Sequence, residues 1–436
     1  MSSIVGPPPT IVNVDSDQRD SGRRVMELID ATTAARRLGV KRETLYAYVS
    51  RGTLASHRAS DGRRSLFEAS AVERLARRGR PRRATQRGAI DLTLETSVTE
   101  LSDHELRYRG RPVADLTTTH TFEEVAALLW GATPVPAWPA GSAVRDADTG
   151  HDGHDGHDVA AIRRTCAELT ADPIAGDDPA RPPRDRPPTP DQVAAAGRRL
   201  VAAAVASLAP VGEDRTARLH LDGRPPVRGT VAGRLWPRLT PRRATPPAVR
   251  AVNTALVLLA DHELAASTLA VRVAASTWAS PAGVVFAGLG ALSGPLHGSA
   301  SSAARGVLQD ALRRGPAAAV RDATAGGRRV AGFGHKVYAG VDPRASLLLD
   351  ALAEVGPPRT LRVARELVDE VAERTGRQAN IDLALAVLAE CGGMTPAAGE
   401  IVMTTARIAG WLAHAAEEYE QTPLRFRTRA AYVGGG

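Results

Sequence analysis

The chain has 436 residues, 43% of them hydrophobic and 24% charged, which is ample for more than one domain with a buried core and excludes a disordered or fibrous protein. Aromatic residues make up only 4% while alanine is abundant, a balance that favours helix over sheet and predicts a mainly α fold. The formal charge of +8 is uneven: residues 1–90 carry 18 Lys+Arg against 9 Asp+Glu and the remainder holds 38 against 39, so a polyanionic partner is expected for the first fifth alone.

Residues 1–24 are polar, proline-containing and aperiodic, and read as a flexible arm; they lack the basic start and apolar run of a secretory signal. From Leu28 to Val40 apolar residues recur at helical spacing, closed by Gly39, and a second helix is predicted over Lys41–Ser50. Asp61-Gly62 between short strand-like flanks predicts a hairpin, and a helix follows over Ala69–Arg77. Taken together, residues 25–78 resemble the winged helix-turn-helix of MerR-type and excisionase-type DNA-binding modules. The resemblance implies a second helix in the major groove with Lys41, Arg42, Thr44 and Tyr48 on its exposed face, and a wing whose Arg63 and Arg64 meet phosphates. From the residues alone, DNA binding is the favoured reading, and a helical hairpin whose basic face docks on the rest of the protein is its alternative.

Residues 79–90 form a basic linker. Glu95–Gly110 alternates like a small hairpin with its turn near Ser102-Asp103, and Phe122–Gly131 is a predicted helix with Thr121 as N-cap and Glu124 as capping-box partner. Between Pro134 and Pro190 the composition loosens. There the repeat His151-Asp-Gly-His-Asp-Gly-His-Asp158 gathers metal-ligand types, but a glycine-rich repeat is not preorganised, so a surface loop and no metal site are predicted. Residues 191–279 return to an alanine-rich helical pattern interrupted near Pro225, Pro237 and Pro246. Asp261 and the glycines around Gly288 break the most apolar stretches, so no membrane span is expected, and Cys166 and Cys391 read as free thiols of a cytoplasmic protein.

Three segments carry chemistry: Gly294-Pro-Leu-His297-Gly298, the run from Gly332-Phe-Gly-His335 through Asp342-Pro-Arg344, and Asn380-Ile-Asp382. They supply one candidate base, two histidines in glycine-flanked turns that can face a developing oxyanion, and a cation for a substrate carboxylate. Their order and spacing resemble the three catalytic motifs of the citrate synthase family, and the resemblance runs from about Leu92 to the C-terminus. It implies a synthase-like region over 91–436, built as a large helical domain and a smaller one at about 299–391.

The activity implied is a condensation of acetyl-CoA with oxaloacetate to give citrate and CoA. A carboxylate of ordinary pKa near about 4 is a weak base for a carbon acid, so stabilisation of the enol must make up the difference. In the family's pattern Asp382 takes the proton, His297 donates to the thioester oxygen, and His335 polarises the oxaloacetate carbonyl. His262, in Asp-His262-Glu-Leu, binds oxaloacetate together with Arg344, Arg407 and Arg427. The last of these reaches the neighbouring subunit's site, which implies a homodimer. No cofactor is implied, since the CoA thioester is a substrate. The same catalytic set serves 2-methylcitrate synthase, which uses propionyl-CoA, and a DNA-binding regulator that keeps the synthase body as a metabolite sensor is a third reading. The chain departs from the family at Ala265, where an asparagine is common, at Ser301, at Thr428, and at Ala339, where a basic residue often meets CoA phosphate.

Overall fold

The computed structural model describes residues 28–38, 40, 42–50, 54–59, 65–72, 92–102, 105–132, 138, 159–171, 186–211, 229–294, 300–338 and 340–427. The chain divides into two compact units, Met1–Leu94 and Glu95–Gly436.

In the first unit, β1 (Leu28–Asp30) precedes α1 (Ala31–Leu38) and α2 (Arg42–Ser50), and β2 (His57–Arg58) and β3 (Ser65–Glu68) complete an antiparallel sheet in the order β1-β3-β2. The predicted first helix is therefore shorter than the apolar spacing suggested. Leu28 and Ile29 pair with Glu68 and Phe67, and the Asp30 carboxylate accepts the Thr33 N–H at 2.7 Å, so Asp30 closes the strand and caps the helix. The wing strands pair as expected, His57 opposite Leu66, while the predicted turn Asp61-Gly62 lies outside the described residues.

Leu45 sits in the centre of this small core, and Tyr48 and Val49 pack against it. Tyr48 was expected on the exposed face; it lies on the inner one, because positions 45, 48 and 49 share one side of a helix of 3.6 residues per turn. Arg42 and Tyr46 face outward instead, and Thr44 is half-buried. Lys41, Arg63 and Arg64 lie outside the described residues.

The second unit opens with a three-stranded meander, β4 (Thr99–Leu101), β5 (Leu106–Tyr108) and β6 (Arg111–Pro112). The expected hairpin is present, with Leu101 opposite Leu106; its third strand was not anticipated and follows a tight turn with positive φ at Arg109 and Gly110. Helices then take over: α3 (Val113–Thr119), α4 (Phe122–Trp130), α5 (Val159–Ala171), α6 (Pro190–Ala206), α7 (Val231–Leu239) and α8 (Pro246–Leu259). Thr121 and Glu124 form the anticipated capping box on α4. The helix α5 falls where looser chain was expected; Val159, Ile162 and Cys166 recur at helical spacing and are all buried. Its neighbour, the His151–Asp158 repeat, lies outside the described residues. Pro237 sits inside α7 rather than interrupting it, and Pro246 opens α8 at N1, where its missing N–H costs no bond.

The remaining helices are α9 (Ala266–Ala275), α10 (Pro281–Leu292), α11 (Ala300–Arg314), α12 (Pro316–Thr324), α13 (Pro343–Leu352), α14 (Pro358–Thr375), α15 (Ile381–Gly392) and α16 (Ala398–Tyr419). The long helix α16 is the axis of one layer and packs against α4, α6, α8, α9 and α10. It is apolar almost all round, as a helix enclosed on every side must be, and Trp411 on it is fully buried. Helices α11 to α15 pack on one another, and α13 also leans on α8. No helix among the described residues is long and apolar enough to cross a membrane.

Candidate active site

The loop that follows α12 carries His335 and is pressed against the start of α15. Gly332 makes this possible: its φ is +85°, and a Cβ there would lie 2.9 Å from the Ala304 side chain and 3.1 Å from Leu383, so only glycine fits. Backbone bonds from Asn380 to Gly332 (2.9 Å) and from Gly334 to Gln378 (2.8 Å), with an Asn380 side-chain bond to Gly334 (3.0 Å), lock the loop in place. Asn380 also caps α15, accepting the Asp382 N–H at 3.0 Å, which sets Asp382 in the first helical turn beside the loop.

His335 has its tautomer assigned by the backbone. Its Nδ1 accepts from the N–H groups of Val337 (3.0 Å) and Tyr338 (3.3 Å), so the proton of the neutral ring resides on Nε2. Burial and the nearby Arg344 cation hold its pKa below the ordinary value and keep the ring neutral. The Arg344 Nη2 lies 3.4 Å from that Nε2, and both are donors. Two donors converging on one spot define a place for an acceptor oxygen.

Arg344 stands in the first turn of α13, 3% exposed. Its guanidinium is forked onto Asp342 at 3.0 and 2.8 Å, and a further bond, from the Ile381 N–H to the same carboxylate at 3.1 Å, fastens the pair to the start of α15. Burial alone would raise the Asp342 carboxyl, but Arg344 holds it below the usual range. Asp342 was visible in the Asp-Pro-Arg motif, yet its role as the clamp on Arg344 emerges only from this geometry.

His262 lies in the turn between α8 and α9, and its ring stands edge-on to His335 with centroids 5.1 Å apart. Tyr338 packs beside both rings, and its hydroxyl meets His262 Nε2 at 3.2 Å. Burial first, then the cations Arg344 and Arg407, push the His262 pKa well below its ordinary value. Tyr338 was not singled out from sequence; its spacing of three from His335 was the available clue. Ala265, in place of the family's asparagine, is the N-cap of α9 and makes no side-chain cap bond there.

Arg407 projects from α16 and is 5% exposed. One of its nitrogens, Nη2, meets only the Met403 sulfur at 3.6 Å, and the other, Nη1, is buried with no hydrogen-bond partner. An unmatched buried guanidinium N–H is expensive, and a carboxylate is its natural counterpart. Burial lowers the Arg407 pKa, partly offset by Asp261.

Asp382 is half-buried. Burial pushes its carboxyl up to about 6; Arg344 opposes this and Asp342 adds to it. A base poised near neutrality is better matched to proton abstraction than an ordinary carboxylate.

The structure thus gathers His262, His335, Arg344 and Arg407 with Asp382 beside the loop. It does not bring Arg427 to this group: that residue is exposed, beyond the end of α16. His297 and Ala339 lie outside the described residues.

Comparison with known proteins agrees with the geometry. The family profile described as citrate synthase, C-terminal domain, matches residues 89–429, and one described as a helix-turn-helix domain matches residues 28–80. The 2-methylcitrate synthase of Mycobacterium tuberculosis is 30% identical over 365 residues, covering 79% of this chain and 88% of the relative. The citrate synthase of Synechocystis sp. is 28% identical and covers 76% and 86%. Among solved structures, the citrate synthase of Thermoplasma acidophilum, in complex with carboxymethyl coenzyme A and oxaloacetate, superposes with a TM-score of 0.63 at 26% identity, over 79% of this chain and 95% of that one.

Proposed function

Since the chain belongs to the citrate synthase family and carries a helix-turn-helix domain ahead of the synthase region, we propose that it condenses acetyl-CoA with oxaloacetate and hydrolyses the citryl thioester to citrate and CoA. The observation that carries this reading is the arrangement of donors. His335 Nε2–H and Arg344 converge on one oxygen position, while the unmatched Nη1 of buried Arg407 awaits a carboxylate. An α-keto dicarboxylate satisfies all three.

In this mechanism Asp382 removes a proton from the thioester methyl group, and His297 donates a hydrogen bond to the thioester oxygen as it becomes an enol. The enol carbon attacks the oxaloacetate ketone, whose oxygen is polarised by His335. His262, Arg344 and Arg407 hold the dicarboxylate, and Arg427 of each chain serves the site of the other in a homodimer. The thioester is a substrate, so the scheme uses no further cofactor.

Purified protein should release CoA thiol from acetyl-CoA only when oxaloacetate is present, and His297→Ala or Asp382→Ala should abolish this. Absence of thiol release with any short acyl-CoA would overturn the reading. Propionyl-CoA is the nearest alternative substrate, because one methyl group discriminates only about 10–200-fold in an apolar pocket; the ratio of kcat/KM for the two thioesters decides between them.

A second activity rests on the first unit. Arg42 and Tyr46 face outward on α2, in the segment that holds the basic excess. We infer that this domain binds DNA and that oxaloacetate or citrate bound to the synthase body alters the affinity. Full-length protein should retard DNA at low salt and lose that property when residues 1–85 are removed; no retardation at low salt would leave the domain a docking module.

A further inference from the structure

Behind His262 lies a chain of ionisable groups that takes no part in the chemistry above. Asp261, His414, Arg272 and Glu418 are each at most 1% exposed. Burying four such groups is costly, and well-packed apolar side chains would stabilise the core at least as well. Their arrangement is specific.

The carboxylate of Asp261 closes the turn that presents His262. Its Oδ2 accepts from the Glu263 N–H at 3.0 Å, spanning His262, and from Thr99 Oγ1 at 2.5 Å and His414 Nε2 at 3.2 Å. Glu263 is held at φ +56°, an uncommon conformation for a non-glycine residue, so the turn needs that support. The backbone of α16 adds to it: Gly410 donates its N–H to Ala260 at 3.0 Å, and a Cβ at Gly410 would lie 2.3 Å from Asp261 Oδ1.

The chain continues outward from His414. Its Nδ1 faces Arg272 Nη2 at 3.0 Å and Nε at 3.3 Å, both donors, so Nδ1 accepts and Nε2 carries the proton given to Asp261. Arg272 pairs in turn with Glu418 at 3.1 Å and with Glu417. Arg425 forks onto Glu418 with two bonds of 2.6 Å, and Leu424 N–H is bonded to Ser276 at 2.9 Å, which anchors the segment after α16. Arg407, His414 and Glu418 share one face of α16, spaced by seven and four residues; eleven residues of helix span roughly 16 Å.

We propose that Asp261, His414, Arg272 and Glu418 form a positioning relay that aims His262 at oxaloacetate and ties its turn, through Arg425, to the segment carrying Arg427. This rests on the reading that oxaloacetate is the ligand of His262. The relay gives a reason for α16 to keep His414 and Glu418 buried in the core. Arg425 is a positioning residue for the segment, and His414 for the turn.

Two substitutions at His414 separate positioning from mere packing. His414→Gln retains an N–H near the place of Nε2 and so keeps the bond to Asp261. His414→Asn keeps an acceptor for Arg272 near the place of Nδ1 but leaves Asp261 without that donor. Oxaloacetate binding to the full-length chain, measured by calorimetry, should weaken about tenfold or more in His414→Asn and less than about threefold in His414→Gln, with KM for the acyl-CoA unchanged in both. Equal effects of the two variants, or none, overturn the relay. Arg425→Gln, at the exposed end, removes the fork onto Glu418 while Arg272 still pairs with it: KM for oxaloacetate should rise several-fold with KM for the acyl-CoA unchanged, and an unchanged KM for oxaloacetate overturns the link to the segment. Wild-type protein that binds no oxaloacetate would refute the reading of the site itself, and the relay with it.

Discussion

The proposed base, Asp382, carries a proton affinity that bears on the fold as well as on the proposed chemistry. Its pKa of about 6 lies above the value near about 4 that it has in an unfolded chain, so the folded state binds the proton more tightly. The stabilisation from protonation is complete below about pH 4 and is lost as the pH rises through about 6. Asp382→Asn, neutral throughout, should therefore melt above wild type at about pH 8, and the gap should close by about pH 4. The proposed role as base runs the other way, since a base must be ionised: wild-type kcat should fall as the pH drops through about 6. Thermal melts of both proteins across this range, set beside the wild-type rate profile, check both signs. At the same scale, the two buried cations differ: Asp342 fixes the Arg344 guanidinium while its Nη2 still lies beside His335 Nε2, whereas Arg407 Nη1 has no hydrogen-bond partner in the protein.

Elements place these residues by close approach. The His335 loop lies directly on α15 because Gly332 has no side chain and accepts a positive φ. Gly332→Ala should destabilise the synthase region by on the order of 2 kcal/mol and lower kcat by displacing His335; denaturant unfolding and thiol release measure the two effects. An alanine variant with full activity and stability would contradict the packing described. On α2, the packing of half-buried Tyr48 against the small core and the exposure of Tyr46 lead to opposite expectations. Tyr48→Ala should lower the stability of the first unit, whereas Tyr46→Ala should leave folding intact and weaken DNA retardation. Both follow from helix periodicity, which sequence had offered without saying which stripe is inward. The first helix was overextended for a similar reason: Leu28 and Ile29 suit a strand as well as a helix, and pairing with β3 decided the matter.

At the scale of the whole molecule, Val273 on α9, Trp278 in the turn that follows it and Phe286 on α10 are large apolar side chains left exposed. The proposed homodimer gives this face a partner and brings Arg427 within reach of a second site. Sedimentation should find a dimer, and Phe286→Glu should shift it toward monomer while raising KM for oxaloacetate. A wild-type chain that sediments as a monomer while fully active would remove both the dimer and the assigned role of Arg427.

The helical class, the family, the capping box at Thr121 and the basic first unit were legible in the sequence, because each depends on residues close together in the chain or on composition. The tertiary structure alone decided which groups meet: Asp342 on Arg344, Tyr338 against two histidines, and Asp261 joined through His414 to Arg272 across more than 140 residues of sequence. Even the close pair Asp342 and Arg344 is fixed by the Ile381 N–H of another helix, and the long-range pairs leave no local pattern. Their contact depends on how α8, α9 and α16 pack, and burial and pairing then give each side chain its charge state and its role.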